Sequence, residues 1–123
     1  MSENQKKIWI TGASSGIGKA LALKFAKENW QVAISARRKV LLDELAQNKN
    51  ISSFPLDVTN DSLVKTAFSE ILRDFKNIDL CVFCSGAYDP KLEKEINKEQ
   101  IKKIMNINFF GVLNCIKVVE DYF

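Results

Sequence analysis

The sequence predicts an α/β fold: a parallel four-stranded sheet in the order 3-2-1-4 with helices on both faces. Three observations predict it. Short β-branched runs alternate with longer amphipathic stretches, the pattern of parallel strands joined by crossover helices. The fourth run is apolar at every position, as a strand covered on both faces requires. A glycine-rich turn joins the first run to the first amphipathic stretch. Right-handed crossovers then give the order 3-2-1-4, half of a doubly wound sheet. With 123 residues, 46% apolar and 27% charged, the chain is a single domain, 1–123, able to bury a core.

The elements follow in order. Lys7 to Thr11 is the first strand and ends at Gly12. Ile17 to Glu28 carries Ile17, Leu21, Ala22, Phe25 and Ala26 at helical spacing. Gln31 to Ala36 is the second strand, and Val40 to Gln47 a short helix with Leu41, Leu42 and Leu45. Ile51 to Leu56 is a weaker third strand. Thr59 or Asn60 can cap a helix through Phe75 with the stripe Leu63, Ala67, Phe68, Ile71 and Leu72. Leu80 to Cys84 is the fourth strand, which belongs inside a sheet although nothing after it supplies a neighbour. A charged loop runs from Tyr88 to Ile96. Asn97 with Gln100 then opens a long helix that reaches the C-terminus. Its stripe is Ile101, Met105, Asn108, Val112, Cys115 and Val119, so an amide interrupts an apolar face and should be buried with partners.

Composition removes several classes. Eighteen Lys and Arg against fifteen Asp and Glu leave +3, no footprint for nucleic acid or an anionic membrane. There is no histidine, hence no His-based triad and no His-ligated metal. The N-terminal Met-Ser-Glu-Asn-Gln-Lys-Lys is followed by too few apolar residues for a signal peptide, and no run is long enough to span a bilayer. A cytoplasmic location is expected, with three reduced cysteines. Cys81 and Cys84 form Cys-x-x-Cys, but on a strand they face opposite ways and read as core thiols.

Thr11-Gly12-Ala13-Ser14-Ser15-Gly16-Ile17-Gly18 lies between strand and helix. Gly12 suits a tight turn, Gly16 close approach of a phosphate, and Gly18 close packing of helix on sheet, with the helix's positive end facing the anion. The same residues nearly spell a Walker A loop ending at Lys19, but Ala20 stands where Mg²⁺ needs a hydroxyl. The second strand runs into Ala36-Arg37-Arg38-Lys39 and not into the acid that holds a ribose 2′-hydroxyl. Guanidinium groups there favour a 2′-phosphate, and so NADP(H) over NAD(H). A solvated basic turn is the alternative.

With Leu56-Asp57-Val58-Thr59 and Asn108-Phe109-Phe110-Gly111 following in order, the chain resembles the short-chain dehydrogenase/reductase (SDR) family over its whole length. The resemblance implies a Rossmann-like domain, incomplete relative to the full family fold. It further implies that Ser14, Ser15 and Ile17 lie along the pyrophosphate, that Arg37 with Arg38 holds the 2′-phosphate, and that Asp57 with the Val58 backbone meets the adenine. The alternative for Asp57 is a helix-entry cap. The family's Asn-Asn-Ala-Gly is Phe83-Cys84-Ser85-Gly86 here, so Gly86 alone matches, where backbone approaches cofactor.

Asn108 matches the family's catalytic asparagine, which holds a water near the catalytic lysine. The catalytic Ser and the Tyr-x-x-x-Lys pair lie beyond that helix in the family and are absent: Tyr88 is followed four residues on by Leu92, and Tyr122 by Phe123 alone. Two readings follow. One is the N-terminal, cofactor-binding part of an NADP(H)-dependent oxidoreductase that passes hydride between nicotinamide and a carbonyl or alcohol. The other is an inactive nucleotide-binding or self-associating fragment. The apolar final helix, an interface helix in the family, implies a homodimer or larger assembly.

Overall fold

The computed structural model describes residues 4–88 and 90–123. Met1 to Glu3 of the polar N-terminal stretch and Asp89 of the charged loop lie outside the described residues. Strands β1 (Lys7–Thr11), β2 (Gln31–Ser35), β3 (Ile51–Ser53) and β4 (Leu80–Phe83) form one parallel sheet in the order β3-β2-β1-β4. Helices α1 (Gly16–Lys27), α2 (Lys39–Leu45) and α3 (Asp61–Phe75) alternate with the strands. A 3₁₀ turn (Pro90–Glu93) lies in the charged loop. Helix α4 (Lys98–Met105), a π-helical stretch (Asn106–Gly111) and α5 (Val112–Glu120) follow.

The strands sort their side chains to two faces. Ile8, Ile10, Val32 and Ile34 pack with Ala22 and Ala26 of α1 and Leu42 of α2. Trp9 and Ala33, one residue out of phase, pack with Val64, Phe68, Ile71 and Phe75 of α3 and Cys115 and Val119 of α5. Trp9 is fully buried and stacks on Phe68 at 5.5 Å, while its indole N–H donates to Ser35 Oγ at 2.9 Å. Burying so large a side chain stabilises by ~3 kcal/mol, and the hydrogen bond removes the cost of its one polar atom. β3 is shorter than expected as a strand, yet its backbone keeps donating to β2 beyond it: Phe54 N–H to Ile34 O and Leu56 N–H to Ala36 O, at 2.8 and 3.0 Å. That extension carries the chain to Asp57.

Of the two candidate caps, Asn60 closes α3, its side chain accepting from Leu63 N–H at 3.2 Å. The helix ends at Lys76 in a left-handed conformation (φ +76°) without glycine. The buried Lys7 ammonium donates to the Phe75 carbonyl and to Asn77 Oδ1, so a cation from the sheet satisfies the helix's carboxyl end.

Several expectations are corrected. Val64, not Leu63, is the buried residue of the first turn of α3, because Leu63 sits one position around the helix and is exposed. Ile17 leaves the core and is 75% exposed, since Gly18, Ala22 and Ala26 form the contact face of α1. β4 holds the edge position that the order 3-2-1-4 gives it, but its faces are not covered: it is half-exposed along its length, and Cys81 and Cys84 are half-buried and not core thiols. The final helix holds its expected face only at Cys115 and Val119. The π-helical stretch adds length to the turn and shifts the phase, leaving Ile101, Met105 and Asn108 exposed. Asn108 is therefore not the buried amide its spacing suggested.

Candidate functional site

The carboxyl ends of the strands open on a cleft of about 490 Å³. The chain leaves β1 toward β2 on one side and returns to β4 on the other, so a crevice forms where the order reverses. Gly12, Ser14, Ser15, Gly16, Ile17 and Gly18 border it from the first turn. Arg37 and Arg38 border it after β2, Asp57 and Val58 after β3, and Gly86 after β4. Residues spread over four strand ends thus meet at one place.

The first turn is built for close approach. A Cβ on Gly12 would stand 2.6 Å from the backbone of Cys84, and one on Gly18 would overlap the Gly12 carbonyl. Backbone from β1, β4 and α1 is therefore in contact here. Gly16 differs: at φ +55° it has no heavy atom within 4 Å of a Cβ position, so the turn opens outward there. Ser15 has the extended backbone of a helix cap, yet its hydroxyl makes no capping bond, and the first turn of α1 holds no acidic residue. The first N–H groups of α1 therefore receive no side-chain cap from Ser15, an arrangement that can accept an anion.

Asp57 both closes a turn and faces the cleft. Its Oδ1 accepts from Thr59 N–H at 3.0 Å and Thr59 Oγ1–H at 2.7 Å, the short-range turn that an aspartate favours. The Thr59 hydroxyl bond, helped by the Thr59 amide and the charge of Arg37, holds the carboxyl below its ordinary range against the opposing effect of burial. Oδ2 accepts from none of the described residues, and Asp57 borders the cleft.

Asn108 is not in the lining but clamps it. Its Oδ1 accepts from Ala87 N–H at 2.6 Å and its Nδ2 donates to Ala87 O at 2.8 Å, holding the loop after β4 by both sides of one residue. Cys84, Ser85, Ala87 and Ile107 also border the cleft. Ile107 was missed because its neighbour Asn108 carried the motif. Asn114 was missed too, though an amide between Leu113 and Cys115 was a signal of the same kind: its Nδ2 donates to Val58 O at 2.9 Å. The Cys84 thiol is pushed up by burial, and Cys81 and Cys115 are pushed up to about 12 by burial, so all three are poor nucleophiles. Tyr122 is occupied structurally, its hydroxyl accepting from Ile78 N–H at 3.0 Å. Among the described residues no group of three or more acidic or cysteine side chains could hold a metal, and no helix is long and apolar enough to cross a membrane.

The family model of the short chain dehydrogenases matches residues 6–123. The chain is 36% identical over 121 residues to the NADPH-dependent 1-acyldihydroxyacetone phosphate reductase of Schizosaccharomyces pombe, covering 96% of this chain and 40% of that protein. It is 33% identical over 121 residues to dehydrogenase/reductase SDR family member 7 of Mus musculus, covering 91% of this chain and 36% of that one. Among solved structures, ElxO with NADP bound superposes with a TM-score of 0.86 at 29% identity, over 96% of this chain and 50% of that one. The 3-ketoacyl-(acyl-carrier-protein) reductase of Brucella melitensis complexed with NADH gives 0.89 at 26% identity, over 99% and 51%. The chain thus spans about half the length of these solved relatives and less of the curated ones.

Proposed function

Because this chain belongs to the short-chain dehydrogenase/reductase family, we propose that its cleft binds a nicotinamide dinucleotide, NADP(H) in preference to NAD(H). The pairing of Arg37 and Arg38 at the end of β2 carries the preference. Both border the cleft, and the nearest acid, Asp43, is already bound to Lys39 inside α2 at 2.6 Å. With no carboxylate to accept a ribose 2′-hydroxyl, a planar guanidinium suits a 2′-phosphate.

The residues fit the group. The open face of Gly16, the uncapped Ser15 and the positive end of α1 suit a pyrophosphate, and Oδ2 of Asp57 suits an adenine amino group beside the Val58 backbone. Gly86 lets backbone approach the cofactor after β4. When bound, the nicotinamide supplies or accepts a hydride, with a carbonyl or alcohol as the partner substrate in the whole protein. Asn108 is assigned to that chemistry through the loop it holds. The Ser and Tyr-x-x-x-Lys of the family are not among these 123 residues, so this chain binds and orients but supplies no proton donor to a carbonyl.

Calorimetry on Arg37→Ala tests the reading. Loss of a bidentate charged contact should weaken NADP⁺ binding by ~1.5–3 kcal/mol, about ten- to a hundredfold, and leave NAD⁺ nearly unchanged. Equal weakening of both, or of neither, defeats the preference. A second reading, self-association, is favoured by the exposed apolar side chains of the final helix: Met105, Phe109, Leu113 and Ile116. We place the protein in the cytoplasm, in keeping with three thiols outside any disulfide.

A further inference from the structure

We propose that Asn114 is a positioning residue of the nucleotide cleft, holding the loop that carries Asp57 in place through the Val58 carbonyl. The inference rests on the nucleotide reading above. Asn114 Nδ2 reaches Val58 O at 2.9 Å across 56 residues of sequence. Val58 is gripped a second way. A Cβ on Gly111 would stand 2.6 Å from Val58 Cγ2, so the absence of a side chain at Gly111 is what lets the helix come close enough for the amide to reach. Gly111 and Asn114 are three apart and share a helix face.

The loop needs an outside anchor. Asp57 and Thr59 bond to each other, and Asn60 N–H donates back to Asp57 O at 3.1 Å, so these bonds shape the loop without tying it to the sheet. The nearest backbone tie to β2 is Leu56 N–H to Ala36 O. Beyond Leu56, the carbonyl of Val58 is the point at which the terminal helix takes hold. Asparagine is a poorer helix former than alanine, and it sits here between Leu113 and Cys115. A helix built for packing alone would carry an aliphatic residue.

The arrangement has a counterpart across the cleft. Asn108, on the other side of the last π-helical residues, holds Ala87 of the opposite wall. One helix therefore fixes both walls, and Asn114 sets the adenosine side.

The test uses Asn114→Asp, which keeps the shape, removes the donor and turns a charge toward the carbonyl, together with Asn114→Ala. Adenosine 2′,5′-bisphosphate and nicotinamide mononucleotide are titrated separately by NMR, and amide exchange is followed at Thr59 and Asn60. Both variants should weaken the adenosine probe on the order of tenfold, spare the nicotinamide probe, and speed exchange at Thr59 and Asn60 but not in β1 or β2. A purely structural role would weaken both probes together and speed exchange throughout, which overturns the proposal. Unaltered binding and exchange overturn it as well. Failure of the unmodified chain to bind the adenosine probe overturns the nucleotide reading and this role with it. If Asn114→Ala does not fold, Asn114→Asp carries the same outcomes.

Discussion

The carboxylate of Asp57 takes the Thr59 amide and hydroxyl on one oxygen while the residue borders the cleft, so the turn is closed without using the second oxygen. The helix-entry alternative is half right: Asn60, not Asp57, caps α3, while Asp57 closes the turn before it. The consequence appears in acid. The folded carboxyl titrates below its ordinary 3.8, so the unfolded chain binds the proton first as pH falls. Its stabilising contribution is complete above pH ~4 and is lost as pH drops through the lower folded value. Denaturant unfolding of the wild type and Asp57→Asn should therefore show a gap that is constant from about pH 5 to pH 7 and closes below about pH 4. A gap that persists unchanged into acid would mean that the carboxylate's charge contributes nothing to the turn.

At the scale of elements, the terminal helix departs from regularity where it matters. Its π-helical stretch, Asn106–Gly111, contains Asn108 and ends at Gly111, and such widened turns gather at functional sites. The widening decouples two faces: α5 keeps Cys115 and Val119 in the core while Asn108 turns to the loop after β4. Deletion of Phe109, an exposed residue within the stretch, should allow a regular helix and rotate everything before it by ~100° relative to α5. Far-UV circular dichroism should stay within a few per cent of the wild type, while the Asn108–Ala87 clamp is lost and NADP⁺ binding falls at least tenfold. Retained binding in the deletion variant would separate the widened turn from the site.

For the whole molecule, association is decided at its surfaces. β4 stands at the sheet edge with no strand beside it among the described residues, and the final helix exposes Met105 and Phe109 at about half their area. An unpaired edge is a template for pairing with another chain, and a contiguous apolar face marks an interaction site. Light scattering across a dilution series should give a dimer or larger species at micromolar concentration. Phe109→Lys, which places a charge in the middle of the exposed face, should shift it toward 14.0 kDa. A wild-type chain that already scatters as a 14.0 kDa species would remove self-association from the reading.

The sequence by itself determined the strand order, the place of the glycine turn and part of the cleft's border, from Gly12 to Gly18, Arg37, Arg38, Asp57, Val58 and Gly86, because these follow from local signals. Gly12, Gly16 and Gly18 are legible as backbone requirements within eight residues, and the run Ala36-Arg37-Arg38 is read at the end of its own strand. What it could not determine depends on distant partners. Helical spacing promised Asn108 a buried face, but one widened turn changed its direction, and no propensity of Asn106 to Gly111 announces that turn. Lys7 reads as a polar residue opening a strand, yet it is buried because α3 ends over it with Phe75 O in need of a donor. Asn114 interrupts apolar neighbours as Asn108 does, but the group its amide serves became visible only when Val58, 56 residues earlier, was brought within 2.9 Å. Periodicity fixes which face a residue shares with its neighbours along one element, whereas the contact that gives a polar side chain its role is set by the packing of two elements, and that is decided in tertiary structure.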